Sequence, residues 1–222
     1  MTRLRILLSR LRDDSGVSAI EFALIAPILI LLMMASVELQ RYLRIDRQLA
    51  NSAENVASLI AQRPGPLTGW NISEDFDSTF QTFPEAAIRA APGPWFNAMG
   101  YMITHAAFST TVAGCTANCA YKANVAWLWG RGTGAPGMTR RCGELTAAPA
   151  GAAPSGSTLP ATMFGPGSII IVDLSFDFVP VFGASFISPI QMFKQAYAFP
   201  RFSSTWLNAS QATLTTTCPG YS

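Results

Sequence analysis

The sequence predicts an α+β fold in which one long N-terminal helix precedes a head that contains an antiparallel β-sheet. The helix is indicated by an apolar run over residues 17–38, followed up to Gln62 by apolar residues at steps of three and four. The sheet is indicated from Tyr101 onward, where apolar residues recur at every second position. A chain of 222 residues is long enough for one domain or at most two.

The composition favours a membrane-associated chain. Half of the residues are hydrophobic and only 13% are charged, whereas about a quarter is usual in soluble domains. The net charge is +2, and no basic run is interleaved with aromatic residues. These features predict no nucleic-acid partner.

The apolar run is long enough to cross a bilayer. From Phe22 to Val37 there are 16 consecutive residues without a charge, and residues 17–20 extend the run past Glu21. A helix of this length covers about 30 Å. A carboxylate at the centre of such a helix costs on the order of 2.5–3.5 kcal/mol, and less toward its end, so Glu21 suggests a function.

Three interpretations of this region compete. A cleaved secretory signal peptide would explain the basic start but lacks a good small-x-small site. A plain signal anchor explains the run but not Glu21. The third interpretation rests on residues 16–22, GVSAIEF, which resemble the cleavage site of type IV pilin-like proteins.

Residues 12–50 resemble more closely the TadE-like family, the minor pilins or pseudopilins of tight-adherence (Flp) pilus systems. The matching residues are Gly16, Ala19, Glu21, Phe22, Ala23, Pro27 and Glu38. The resemblance implies that residues 1–16 are a leader, which a prepilin peptidase removes by cutting between Gly16 and Val17. It further implies that Glu21 and Phe22 act in assembly with other pilins or pseudopilins of the system. An inner-membrane location follows from the same resemblance. The head is predicted to lie in the periplasm, or within an extracellular pilus, mainly because of the cysteines, since arginines flank the apolar run on both sides.

Residues 39–62 are predicted to continue the membrane helix as an amphipathic helix, which ends near Gln62 because Arg63-Pro64-Gly65-Pro66 cannot extend it. Residues 63–222 then form the head. A second, shorter helix is predicted over residues 73–90, with Ser73 as its N-cap.

Strands are predicted over residues 101–112, 121–129, 170–178 and 193–199, most simply as an antiparallel meander. Residues 130–167 are rich in Gly, Ala and Pro and are predicted to be a long irregular loop. The apolar segment 179–189 either packs under the sheet or is exposed, and packing is favoured.

The four cysteines, Cys115, Cys119, Cys142 and Cys218, predict two disulfides and an oxidising compartment. Their spacing argues against a zinc site, and one disulfide with two buried thiols is a further alternative. Four cysteines allow three pairings. The favoured pairing is Cys115–Cys119, closing the turn between the first two strands, with Cys142–Cys218 tying the long loop to the C-terminal region.

The sequence predicts no enzyme, no cofactor and no metal site. No catalytic motif surrounds His105, which is interpreted as a surface or structural strand residue. Asp173 and Asp177 lie about 13 Å apart on a strand and are interpreted as solubilising residues. Trp127 and Trp129 are predicted to be in the sheet core. The rival functions are a membrane-anchored periplasmic binding module outside any filament and a secreted enzyme.

Overall fold

The computed structural model describes residues 15–64, 69–80, 99–131, 140–153, 155–182, 184, 186–202 and 215–220. Within these ranges lie two helices, α1 (Ser15–Gln62) and α2 (Gly69–Phe80). The strands are β1 (Met99–Thr110), β2 (Tyr121–Arg131), β3 (Glu144–Ala148), β4 (Thr158–Pro160), β5 (Ser168–Phe178), β6 (Ile190–Ala198) and β7 (Thr215–Thr217). The α+β class predicted from the sequence is confirmed.

Helix α1 has 48 residues, about 72 Å at 1.5 Å per residue. Its N-terminal half projects from the head with largely exposed side chains. From Ile45 onward, one face of the helix is buried against the sheet, through residues such as Leu49 and Ile60. The helix ends at Gln62, as predicted, and begins at Ser15, two residues before the predicted start at Val17.

The sheet has the order β4-β3-β2-β1-β5-β6, with β7 also paired to β2. Strands β2, β1, β5 and β6 are antiparallel neighbours, whereas β3 and β4 are parallel. The predicted meander is therefore wrong in the order in which its strands pair. Strand β5 pairs with β1 and not with β2, whose other edge is occupied by β3 and β7.

The four predicted strands are present, with their ends displaced by at most three residues. Both faces of the sheet are buried. One face packs on α1 through Val172, Leu174 and Phe176, and the other packs through Ile169 and Ile171 on Leu145 and Leu159 from β3 and β4. The predicted core positions Trp127 and Trp129 are each 2% exposed.

The prediction of an irregular loop over residues 130–167 is wrong in its described part. Strand β2 extends to Arg131, and β3, β4 and a short 3-10 helix (Ala161–Met163) lie within the range; residues 132–139 and 154 lie outside the described residues. This segment covers the second face of the sheet with Leu145, Leu159, Met163 and Phe164. Few apolar residues are needed for this, which is why its composition resembles a loop.

Asp173 is buried, so its interpretation as a solubilising residue is wrong. Its Oδ2 accepts a hydrogen bond from Nε of the buried Arg140 at 2.8 Å. Nη1 of Arg140 donates to the carbonyl oxygen of Thr158 at 3.1 Å, which fixes the guanidinium beneath the segment that contains β3 and β4. Burial raises the pKa of Asp173, and the charge of Arg140 opposes that rise. Asp177 is exposed, as predicted.

Helix α2 begins at Gly69 and not at the predicted Ser73, and the rest of the predicted helix, residues 81–90, lies outside the described residues. The ring of Phe76 packs 5.0 Å from Tyr101 and 5.9 Å from Trp129, measured between ring centroids. Arg63 donates two hydrogen bonds to the Asp75 carboxylate, at 2.7 and 2.6 Å. The residue that follows the end of α1 thereby holds α2 in place.

The structure contains the disulfides Cys115–Cys119 and Cys142–Cys218, the favoured pairing. The first closes the turn between β1 and β2. The second joins Cys142, two residues before β3, to Cys218, the residue after β7. The Cys218 N–H also donates to the Ala126 carbonyl oxygen at 2.9 Å. The C-terminal strand is thus tied to the sheet by a covalent bond and by its pairing with β2.

Candidate assembly and membrane segment

The residues predicted to act in processing and assembly lie together at the start of α1. Gly16 and Val17 belong to its first turn. Glu21 follows Val17 by four residues, so the two positions share one face of the helix, about 6 Å apart along its axis. Phe22 is 69% exposed beside them. One turn of helix therefore separates the predicted cleavage point from the carboxylate.

The part of α1 that follows is long and apolar enough to cross a membrane. Its best 18-residue window has a mean hydropathy of 2.4 and is entirely unburied by the rest of the protein. Pro27 lies inside the helix without ending it, which is tolerated in membrane-spanning helices. Ten large apolar side chains between Ile20 and Met33 are at least half exposed: Ile20, Phe22, Leu24, Ile25, Ile28, Leu29, Ile30, Leu31, Leu32 and Met33. Lipid or other helices must cover such a surface.

Glu21 is exposed within this apolar surface. It makes no hydrogen bond or ion pair with any other residue in the part of the chain that the structure describes. The first residue of α1 that faces the head across a groove is Leu31, ten residues or about 15 Å further along the helix. The carboxylate is thus available to a group outside this chain.

At the other end of the apolar run, Glu38 joins the helix to the head. Its Oε1 accepts hydrogen bonds from the backbone N–H groups of Val181 and of Phe182, the latter at 2.7 Å. One turn later, Nη1 of Arg41 donates to the Val179 carbonyl oxygen at 3.1 Å. The Arg41 guanidinium also lies 5.1 Å from the centroid of the Phe178 ring. Glu38 and Arg41 therefore fix the chain that leaves β5.

The sequence offers no signal for this contact, because more than 140 positions separate its partners. The preferred prediction for residues 179–189, packing under the sheet, is wrong. Val181 is 63% exposed and Phe186 is 92% exposed. Both faces of the sheet are already covered, by α1 and by the segment with β3 and β4, so the residues after β5 lie beside the helix instead.

The second half of α1 is held firmly on the sheet. Nζ of Lys194 in β6 lies 2.8 Å from the Asp46 carboxylate. Tyr42 packs edge-on against Phe178, with 5.5 Å between the ring centroids. In its last turn, the Ala61 carbonyl oxygen accepts a hydrogen bond from the Arg201 N–H at 2.9 Å. The helix and the head therefore present one continuous body to whatever surrounds the apolar run.

The remaining polar candidates are structural in the described part of the chain. His105 is buried in β1 and stacks on Trp127, with 5.5 Å between the ring centroids. Burial lowers the pKa of His105 to about 4, so the imidazole is neutral at pH 7. Arg140 and Asp173 form an ion pair beneath the layer that contains β3 and β4.

Comparison with known proteins bears on the N-terminal segment. No curated protein and no solved structure shows a significant match to the chain. One family model matches, and it is described as TadE: TadE-like protein. The match runs from residue 16 to residue 58, so it begins at Gly16, contains Glu21, Phe22 and Glu38, and ends in the part of α1 that packs on the sheet. The resemblance predicted from residues 12–50 is thereby confirmed, and residues 16–58 of this chain are a TadE-like segment.

Proposed function

We propose that this protein is a minor pilin or pseudopilin that contributes to the assembly of a tight-adherence (Flp) pilus. The observation that carries the proposal is Glu21, a carboxylate in the exposed apolar half of α1, five residues after Gly16 and inside the TadE-like segment. Residues 17–38 would anchor the protein in the inner membrane, and the head would occupy the periplasm. Its role would be structural and not enzymatic.

The proposed processing follows from the position of Gly16. A prepilin peptidase at the cytoplasmic side would cut between Gly16 and Val17. The product would start with a free amino group on Val17, one helical turn from Glu21. Removal of residues 1–16 also removes four arginines, Arg3, Arg5, Arg10 and Arg12, whose charges would otherwise lie next to the apolar helix.

The proposed assembly step pairs Glu21 with the amino group of a neighbouring subunit. A lone carboxylate in the bilayer is costly, and no described residue of this chain compensates it. A charge-assisted hydrogen bond to the N-terminal ammonium of an adjacent pilin would satisfy both groups in a medium of low dielectric constant. Phe22 would pack beside this pair. The interaction favours helices that lie side by side in register.

The proposed orientation is supported mainly by the two disulfides. Disulfides persist in oxidising compartments such as the periplasm, and both lie in the head. The flanking charges discriminate less, because Arg41, Arg44 and Arg47 follow the apolar run as closely as the leader arginines precede it. A reporter enzyme that folds only in the periplasm, fused after Ser222, should be active. An inactive fusion would reverse the orientation.

The assembly role is tested by Glu21→Ala in cells that express the rest of the pilus system. We expect a protein that inserts, forms both disulfides and is still cut, but whose co-purification with partner pilins falls on the order of tenfold. Glu54→Ala is the matched control, because Glu54 is an exposed glutamate of the same helix outside the apolar run. Normal co-purification and normal pili with Glu21→Ala would contradict the proposal and favour a membrane-anchored periplasmic interaction module.

A further inference from the structure

The residues that follow β5 form an exposed apolar surface next to the end of the membrane helix. Residues 179–190 contain no charged side chain. Five of their large apolar side chains are exposed: Val181 at 63%, Phe182 at 42%, Phe186 at 92%, Ile187 at 48% and Ile190 at 41%. A surface of this kind marks contact with a membrane or another protein.

This surface is continuous with the apolar run of α1. A groove of about 680 Å³ lies between them, lined on the helix side by Leu31, Met34 and Leu39 and on the other side by Phe182, Phe186 and Ile187. Glu38 is the one charged residue in its lining, and its carboxylate is directed to the backbone N–H groups of Val181 and Phe182. Its other oxygen, Oε2, is buried without a hydrogen bond and lies 3.6 Å from Nη1 of Arg41.

The position along the helix sets the depth of this surface. Leu31, the first helix residue in the groove, lies seven residues before Glu38, where the apolar run ends. Seven residues of helix span about 10 Å. Membrane-surface elements bury their apolar side chains about 5–10 Å into the boundary between headgroups and acyl chains. If the run spans the bilayer, residues 179–182, 184 and 186–190 lie at the depth of that boundary.

We propose that residues 179–190 insert into the leaflet of the bilayer on the head side, with Phe186 and Ile187 as the inserted side chains. The inference rests on the proposed membrane anchoring of α1 and adds a second membrane contact to it. The bilayer is the occupant that the structure favours, because the groove opens onto the same stretch of helix that lipid must cover. Two contact points would fix the tilt of the head over the membrane. Glu38 and Arg41 bond to residues that follow β5, so this segment and the apolar run keep a fixed relative position.

The test is site-specific photo-crosslinking of the full chain in cell membranes. A photoreactive phenylalanine analogue replaces Phe186, Leu24 or Val112 in separate variants, and adducts are identified by mass. Leu24 is 70% exposed in the apolar run and reports on anchoring itself. Val112 is 67% exposed but lies beyond the far end of β1, which pairs antiparallel to β5, about 45 Å from Phe178 along the strands.

We expect phospholipid adducts at positions 186 and 24, with a yield at 186 roughly tenfold above that at 112. Lipid adducts at 24 without any at 186 would overturn the inference and leave the anchoring intact. Crosslinked dimers or protein adducts at 186 in place of lipid would also overturn it, since the surface would then be a protein interface. The absence of lipid adducts at both 24 and 186 would contradict the anchoring and the inference together. Because Phe186 is 92% exposed, its replacement leaves the core unchanged.

Discussion

The carboxylate of Glu38 accepts a hydrogen bond from the backbone N–H of Phe182 at 2.7 Å, across a sequence separation of 144 residues. Glu38 stands at the end of the apolar run, and Phe182 stands four residues after the end of β5. The contact therefore links α1 to the head at the end of the apolar run. It also gives an acidic residue at this position of the TadE-like segment a definite structural task.

Glu38→Ala should loosen the segment after β5 while the sheet stays folded. The backbone N–H groups of Val181 and Phe182 would lose their acceptor, and these two exposed hydrogen bonds together contribute about 1–3 kcal/mol. Hydrogen exchange of these two amides should accelerate by roughly ten- to a hundredfold. Glu38→Gln keeps one acceptor oxygen and should have a smaller effect. Unchanged exchange in Glu38→Ala would show that the bond does not hold the segment.

His105 should make the head less stable in acid. Its pKa is about 4 in the folded protein because of burial, against about 6.5 in the unfolded chain. The unfolded state therefore binds more protons below pH 6.5, and stability falls as the pH drops from about 6.5 to 4. The loss at pH 4.5 should be about 2–3 kcal/mol relative to pH 7. Urea unfolding of wild type and His105→Gln at both pH values measures it, and equal pH dependence in the two proteins would contradict the assignment.

The buried pair Arg140–Asp173 should be sensitive to the loss of one partner. Arg140→Met leaves an unpaired carboxylate in the sheet and should lower the free energy of unfolding by about 3–5 kcal/mol. The double variant Arg140→Met with Asp173→Leu removes both charges and should recover most of this loss. A double variant that is no more stable than Arg140→Met would show that the two side chains do not act as a pair.

The two disulfides should contribute unequally to stability. Cys142–Cys218 closes a loop with a sequence separation of 76, and Cys115–Cys119 one of 4. On the chain-entropy account, replacing the first pair by alanines should cost about 4–5 kcal/mol and replacing the second about 2 kcal/mol. Denaturant unfolding without reductant checks the order. A greater loss from removing Cys115–Cys119 would contradict the entropic account.

The sequence predicts those features that depend on neighbouring residues. Helix α1 ends at Gln62 because Pro64 and Pro66 follow it, and the strands appear through their period of two. The period of two does not reveal that both faces of the sheet are buried. The second face is covered by β3 and β4, which are short strands with few apolar residues. The misreading of Asp173 has the same origin, since its partner Arg140 lies 33 residues away in that cover.

The same distinction between local and long-range features applies to the apolar half of α1. Gly16, Glu21 and Phe22 lie within seven residues, and the pattern they form is visible in the sequence alone. The contacts of Glu38 and Arg41 with residues 179–182 depend on where β5 ends relative to α1. That relation arises only when the sheet packs on the helix, so local sequence patterns do not predict it.

The proposed role requires that this chain is processed and assembled as a pilin-like subunit. Its most direct test is the intact mass of the protein purified from membranes after co-expression with the cognate prepilin peptidase. We predict the mass of residues 17–222 with two disulfides, and we predict retention of the leader in Gly16→Val, because a branched side chain would obstruct the peptidase. A wild-type protein that keeps residues 1–16 in the presence of an active peptidase would contradict the account.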